Sequence, residues 1–229
     1  MIKNVIFDIG KVLTAFEWLK FMDEIFTDET VKKEITKAVW ESGWWKELDR
    51  GVIPEEEVLA NLRKAVGEYV EYMDYAFDHL DKCFLRTEYS ANWVKELKGM
   101  GYNVYFLSNY SRFVMRQAPD SRDFLEFMDG GVFSCDVGLI KPDPAIYKAL
   151  TDKYNLVPEE CLFTDDAQMN IDEARRLGFR AIRFDGYEKT YPVIMNYLKS
   201  SDNGKQLTDL PGDGLAYDGM NWNDWNENK

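Results

Sequence analysis

The stretch Val5-Ile6-Phe7-Asp8-Ile9-Gly10-Lys11-Val12-Leu13 constrains the fold more than any other part of the chain. It opens as an uninterrupted apolar run, the pattern of a strand buried on both faces of a parallel sheet. The run then breaks at a carboxylate, a glycine and a lysine. A buried strand with Asp8 at its C-terminal tip puts an anion at the edge where α/β sheets keep their ligands. On spacing alone, a helix-capping Asp8 is the simpler reading, and the rest of the chain decides between the two.

The 229 residues suffice for one sizeable core and a smaller insert. Residues 3–7 read as the first strand. Residues 16–84 turn helical, with apolar positions every three or four and no strand-like alternation. One helix starts at Asp28-Glu29-Thr30, and another at Pro54 with Glu55, Glu56 and Glu57 in its first turn. Trp40, Trp44, Trp45, Tyr69, Tyr72 and Tyr75 are read mostly as helix packing, with one or two lining a ligand cavity.

From Glu88 onward helices and strands alternate. A helix closes at Gly99-Met100-Gly101, followed by a strand over 102–107 and a weakly patterned stretch to Met128. Short strands are expected at 132–135 and 137–140, then a helix from Pro144 capped by Asp143. A strand over 161–163, a helix over 170–177, a strand over 180–184 and a helix over 190–199 complete the pattern. The alternation predicts an α/β fold, a doubly wound Rossmann-like parallel sheet, with the helical block as an inserted cap. The expected division is a core of 1–15 and 86–200, a cap of 16–85 and an extension of 201–229. That extension carries five Asp and one Glu against two Lys, with Trp222 and Trp225. It is expected to be loosely packed or disordered, or else docked through its Trp and Leu side chains.

A net charge of −13 argues against nucleic acid and anionic membranes as partners. No apolar run approaches the roughly 18 residues of a membrane span. The start Met1-Ile2-Lys3 leads straight into a strand, leaving no room for a signal peptide. Cys83, Cys135 and Cys161 are odd in number and unpatterned, as expected of buried thiols in a cytoplasmic protein. His79 is the only histidine, which excludes His-based zinc sites and Ser-His-Asp triads. The chemistry falls to carboxylates, lysines and hydroxyls, and an oxygen-bound metal points to Mg²⁺ before a transition metal.

Asp8, Ser108-Asn109 and Asp165-Asp166 each end a predicted strand, and Lys141 follows the apolar run 137–140. Right-handed crossovers bring such ends to one edge of a parallel sheet. Three converging carboxylates do not all stay ionised without a cation. Mg²⁺ relieves their repulsion and draws in a phosphate. Ser108 and Asn109 then offer hydrogen bonds to phosphate oxygens, and Lys141 offers charge during phosphoryl transfer. Asp8 is the candidate nucleophile, forming an aspartyl-phosphate that water hydrolyses.

Phe7-Asp8 with Gly10 and Val12-Leu13, Leu107-Ser108-Asn109, Gly138-Leu139-Ile140-Lys141-Pro142, and Phe163-Thr164-Asp165-Asp166 with Asn170 resemble the four motifs of the haloacid dehalogenase-like hydrolases. The resemblance spans Met1 to about Lys199. It implies that the insert is a C1-type cap, that Asp8 and the Gly10 carbonyl are metal ligands, and that Asp166 is a direct ligand. Asp165 would be shared or act behind it, with Asn170 in support. Residues 45–51 and Pro54-Glu55-Glu56 resemble the cap of a subgroup holding α-glucose-1-phosphate phosphatase and the phosphatase domain of soluble epoxide hydrolase.

Two positions depart from the family pattern. Most of its phosphatases carry a general acid two residues after the nucleophile, where this chain has Gly10, and such an acid is worth about 10²–10⁴ in rate. The subgroup shares this change, and an easily departing anomeric oxygen offers one reason, so sugar 1-phosphates are expected to outpace 6-phosphates. Lys11 replaces the subgroup's Asn and reaches substrate phosphate, repels Mg²⁺ or turns to solvent. The expected function is a Mg²⁺-dependent phosphatase for a small phosphorylated metabolite, monomeric or homodimeric. The alternative is a catalytically weak binding protein with the same fold. A mutase is disfavoured without the second acid, carbon–halogen cleavage by the pair Asp165-Asp166, and a receiver domain by that pair's late position.

Overall fold

Strand β1 (Asn4–Phe7) is the middle of a five-stranded parallel sheet, with every one of its residues buried. The structure is a computed structural model and describes residues 1–200 and 203–207. After β1 the chain forms β2 (Thr14–Phe16) and then five helices, α1 (Trp18–Ile25), α2 (Glu29–Glu41), α3 (Trp44–Arg50), α4 (Glu55–Val66) and α5 (Val70–Asp78). It returns through β3 (Phe84–Arg86) and α6 (Ser90–Gly99) to β4 (Asn103–Ser108). Then come α7 (Arg112–Gln117), β5 (Gly130–Phe133), α8 (Ser134–Val137) and α9 (Pro144–Tyr154). Strand β6 (Cys161–Asp165), α10 (Gln168–Arg176), β7 (Arg180–Arg183) and α11 (Tyr187–Lys199) finish the core.

The sheet order is β5-β4-β1-β6-β7. The chain thus builds outward on one side of β1 and then crosses to the other, which makes the C-terminal end of β1 the topological switch point. Alternation along the strands explains the double winding. Val5, Phe7, Val104, Phe106 and Leu162 face the apolar layer that includes α6 and α11. Ile6, Tyr105, Leu107, Cys161 and Phe163 face the layer built with α9 and α10.

The helical insert leaves and rejoins the core through β2 and β3, which pair antiparallel with Thr14 opposite Arg86 and Phe16 opposite Phe84. These strands lie at the borders of the expected all-helical block. Three residues each are too few to show an alternating pattern. An aromatic chain links this ladder to the cap and on to the core, from Phe16 to Trp40 (5.6 Å between ring centres), Trp45 (5.1 Å), Phe77 (6.0 Å) and Phe113 (5.6 Å). Trp44 and Tyr69 are partly buried, while Tyr72 and Tyr75 are exposed. A groove of about 240 Å³ between cap and core is lined by other residues, including Gly51, Glu55, Arg112 and Cys135.

The expected strand at 137–140 is not formed. Strand β5 lies at the sheet edge, and its ladder with β4 ends at Ser108 opposite Phe133. Beyond it the Ser134 hydroxyl accepts the Tyr110 N–H, the backbone coils into α8, and Gly138 closes that turn at φ +72°. Lys141 therefore stands on a loop. The stretch after Arg112 holds α7 and a 3₁₀ segment, Pro119–Phe127. In the C-terminal extension, Asn203 Oδ1 accepts the Ile2 N–H at 2.6 Å and Leu207 packs on the core. The remaining expectation for 201–229 lies outside the described residues.

Gly51 fixes how the insert rests on the core. Its φ is +68°, and a Cβ there would lie 2.8 Å from the Cys135 Cβ and 2.9 Å from the Cys135 Cα. Gly51→Ala is expected to destabilise the protein by about 1–3 kcal/mol through overlap alone. The check is its urea midpoint, and an unchanged midpoint contradicts this docking.

Candidate active site

Beyond β1, the Asp8 N–H donates to the Thr164 carbonyl at 2.9 Å, which continues the ladder with β6 by one residue. Asp8 and the end of β6 therefore stand side by side. Asp165 closes β6 and is fully buried, with Asp166 following it. Carboxylate oxygens of Asp8, Asp165 and Asp166 all lie within 4.8 Å of one another.

Lys141 enters from the loop before α9. Its ammonium lies 2.9 Å from Asp8 Oδ1 and 2.6 Å from Asp165 Oδ2, and the residue is only 4% exposed. Burial works against its charge, but Asp165 and Asp8 outweigh it and raise the lysine pKa. Asp165 is further held by the Asn170 amide at 2.9 and 3.0 Å and by the Ala167 N–H at 2.8 Å.

The Asn109 side chain is engaged with the backbone of Lys141. Its carbonyl accepts the Lys141 N–H at 2.7 Å, and its amide donates to the Lys141 carbonyl at 3.1 Å. With both ends engaged on one backbone unit, Asn109 positions Lys141. Ser108 is different: its hydroxyl is buried without a hydrogen-bond partner of good geometry, yet lies near enough to Asp8 to favour the ionised carboxylate. Lys11 has a left-handed backbone (φ +61°), and its ammonium stands 3.8 Å from Asp166 Oδ2, with the side chain still 31% exposed. Gly10 has open space where a side chain would be, with nothing within 4 Å of an added Cβ.

One buried lysine does not offset three carboxylates. Burial lifts the Asp8 pKa to about 6, with Asp165 adding to it and Lys141 and Ser108 opposing. Burial likewise lifts Asp166 to about 7, reinforced by Asp165 and Asp8 and opposed by Lys11 and Lys141. The residues fit Mg²⁺: the donors are all hard oxygens, clustered and carrying excess negative charge. Asp165 has its oxygens occupied by Lys141, Asn170 and Ala167, which leaves Asp8 and Asp166 as the more available donors.

Asp49, at the end of α3, was not singled out in the sequence. Its pKa is lifted to about 8, by burial first and by the charge of Asp8 second, with Lys141 opposing. Its signal was present only as part of the cap pattern over 45–51, where nothing ties a helix-end aspartate to a site 41 positions away along the chain.

The model of the haloacid dehalogenase-like hydrolases matches residues 2–178. A D-ribitol-5-phosphate phosphatase of Bacteroides thetaiotaomicron is 25% identical over 86% of this chain and all of that protein. A phosphatase of Mycobacterium tuberculosis is 25% identical over 87% of this chain and 94% of its own length. Among solved structures, a predicted HAD-like hydrolase from Porphyromonas gingivalis superposes with a TM-score of 0.68 at 26% identity, covering 88% of this chain and all of that one. A B. thetaiotaomicron family enzyme solved with magnesium and inorganic phosphate shares the fold, with a TM-score of 0.64 at 22% identity over 79% of this chain and 93% of that one. The family match over most of the chain and the motif residues gathered at one sheet edge make this protein a haloacid dehalogenase-like hydrolase.

Proposed function

We propose that the protein is a Mg²⁺-dependent phosphatase of a small phosphorylated metabolite, a sugar or polyol phosphate, acting through an aspartyl-phosphate on Asp8. The observation that carries this reading is the cluster itself, three carboxylates within 4.8 Å around one buried lysine. Phosphatases of comparable length among the relatives support it. In this reading Asp8 and Asp166 hold the metal directly, the Gly10 carbonyl adds a donor, and Asp165 stands behind them as the partner of Lys141 and Asn170. Mg²⁺, when bound, supplies positive charge that offsets the carboxylates and draws a phosphoryl group toward them.

The chain's own groups do the remaining work. Asp8 attacks phosphorus while Lys141 balances the charge spreading over the equatorial oxygens. The orphan Ser108 hydroxyl offers a hydrogen bond to one of those oxygens. Lys11, whose ammonium stands beside Asp166, adds charge at the phosphate. Helices α1–α5 act as the cap that excludes water and reads the substrate, with β2 and β3 straddling the proposed borders between core (1–15 and 86–200) and cap (16–85). The reading extends to a cytoplasmic location, supported by three buried free thiols.

Asp8→Asn is expected to abolish Mg²⁺-dependent phosphate release across a panel of sugar and polyol phosphates. Equal release by wild type and variant would mark the protein as a binding module with this fold.

Metal binding has its own signature in stability. Asp8 and Asp166 titrate near 6 and 7 when folded, above the value of about 3.9 for a free aspartate. Between about pH 4 and 7 the folded metal-free protein thus holds more protons than the unfolded chain, and stability falls as pH rises through that window. Mg²⁺ takes the place of those protons. Added Mg²⁺ should raise the unfolding temperature more at pH 8 than at pH 5, and an equal rise at both would contradict the site.

A further inference from the structure

Gly10 stands two residues after Asp8, where the family resemblance leads one to expect a general acid, and the space beside it is open. The cap offers a carboxyl from another direction. Asp49 lies in the last turn of α3, and its backbone carbonyl accepts a bond from the Ser134 hydroxyl at 2.5 Å. The same hydroxyl accepts the Tyr110 N–H at 2.9 Å, and Tyr110 directly follows the Asn109 that holds Lys141. Two residues further on, Gly51 is packed against Cys135. The end of α3 is therefore tied to the loops that build the site.

The Asp49 carboxyl is half-buried, and none of the described residues hydrogen-bonds to it. The charges that reach it belong to Asp8 and Lys141, the candidate nucleophile and its lysine. Tyr110 and Cys135 respond to its charge in turn. Burial first and the charge of Asp8 second raise its pKa to about 8, which favours the protonated carboxyl. The carboxyl thus lies within range of the charges on Asp8 and Lys141 and has no hydrogen-bond partner among the described residues.

We propose that Asp49 is the general acid and base of this site. The inference rests on the phosphatase reading above. As Asp8 Oδ attacks phosphorus, the bond from phosphorus to the leaving oxygen breaks with its electron pair on oxygen, and the Asp49 carboxyl gives that oxygen its proton. Water then attacks the aspartyl-phosphate and passes a proton to the Asp49 carboxylate, the Asp8–phosphorus bond breaks, and both carboxyls regain their starting states. The proton is delivered only with the cap seated on the core. An acid at this position also removes the need for an anomeric leaving oxygen, so 6-phosphates and other alkyl phosphates become substrates as well as 1-phosphates.

The test compares wild type, Asp49→Asn and Asp8→Asn at fixed Mg²⁺ on nitrophenyl phosphate, whose leaving group needs little protonation, and on a sugar 6-phosphate, whose leaving group needs it. Asp49→Asn should lower kcat on the sugar phosphate by about 10²–10⁴-fold and on nitrophenyl phosphate by less than about tenfold. The retained aryl activity also shows that the variant folds. Adding Gly10→Asp to Asp49→Asn should restore part of the sugar-phosphate activity, since the open position accepts the side chain. The same fold-loss on both substrates, or no loss on the sugar phosphate, overturns the assignment. Wild type releasing phosphate no faster than Asp8→Asn on either substrate removes the phosphatase reading, and the inference falls with it.

Discussion

The buried triangle of Lys141 with Asp8 and Asp165, at 2.9 and 2.6 Å, is the interaction on which the rest of the site depends. Taking ions out of water costs several kcal/mol each, and a close partner offsets that only with good geometry. Here the geometry is supplied by backbone. Asp8 and Asp165 end neighbouring strands, and the two bonds from Asn109 fix the Lys141 peptide. Even so, one buried lysine stands against three carboxylates, and burial first, with repulsion among the carboxylates behind it, lifts Asp8 and Asp166. That excess destabilises a metal-free protein and is what a divalent cation needs in order to bind.

Sheet order decides why these groups meet at all. Because β4 and β6 both flank β1, the chain segments ending in Ser108 and Asp165 converge on Asp8 although they are distant in sequence. The helical insert is tied to the same edge of the sheet. Its two connections pair as β2 and β3, its aromatic chain runs from that ladder to Phe113 in the core, and its α3 end is fastened through Ser134 and Gly51. A layer fastened beside Asp8 suits the proposed site, which must exclude water and then release product.

Much of this was legible in the chain alone, for physical reasons. Strands buried on both faces leave continuous apolar runs, so β1, β4 and β6 stand out, and the polar residues that end them mark the site directly. Strands β2 and β3 were too short to carry a period. The run 137–140 misled because apolar residues next to a sheet edge read as a strand, while the Ser134 bond to Tyr110 and the left-handed Gly138 turn the chain away. The bonds between the Asn109 side chain and the Lys141 backbone carry no sequence signal, since a strand-end amide suits several tasks. Asp49 was invisible in this sense: its burial and its nearness to Asp8 arise from docking of the cap, which no local pattern encodes.

The central claim is that Asp8 receives the phosphoryl group within this carboxylate–lysine cluster. Turnover of a phosphate ester with Mg²⁺, quenched in acid and reduced with borohydride, converts an aspartyl-phosphate to homoserine at the position that carried it. Peptide mass analysis should find homoserine at position 8 and at no other aspartate. Phosphate release with Asp8 unmodified and the label on another residue would contradict the account.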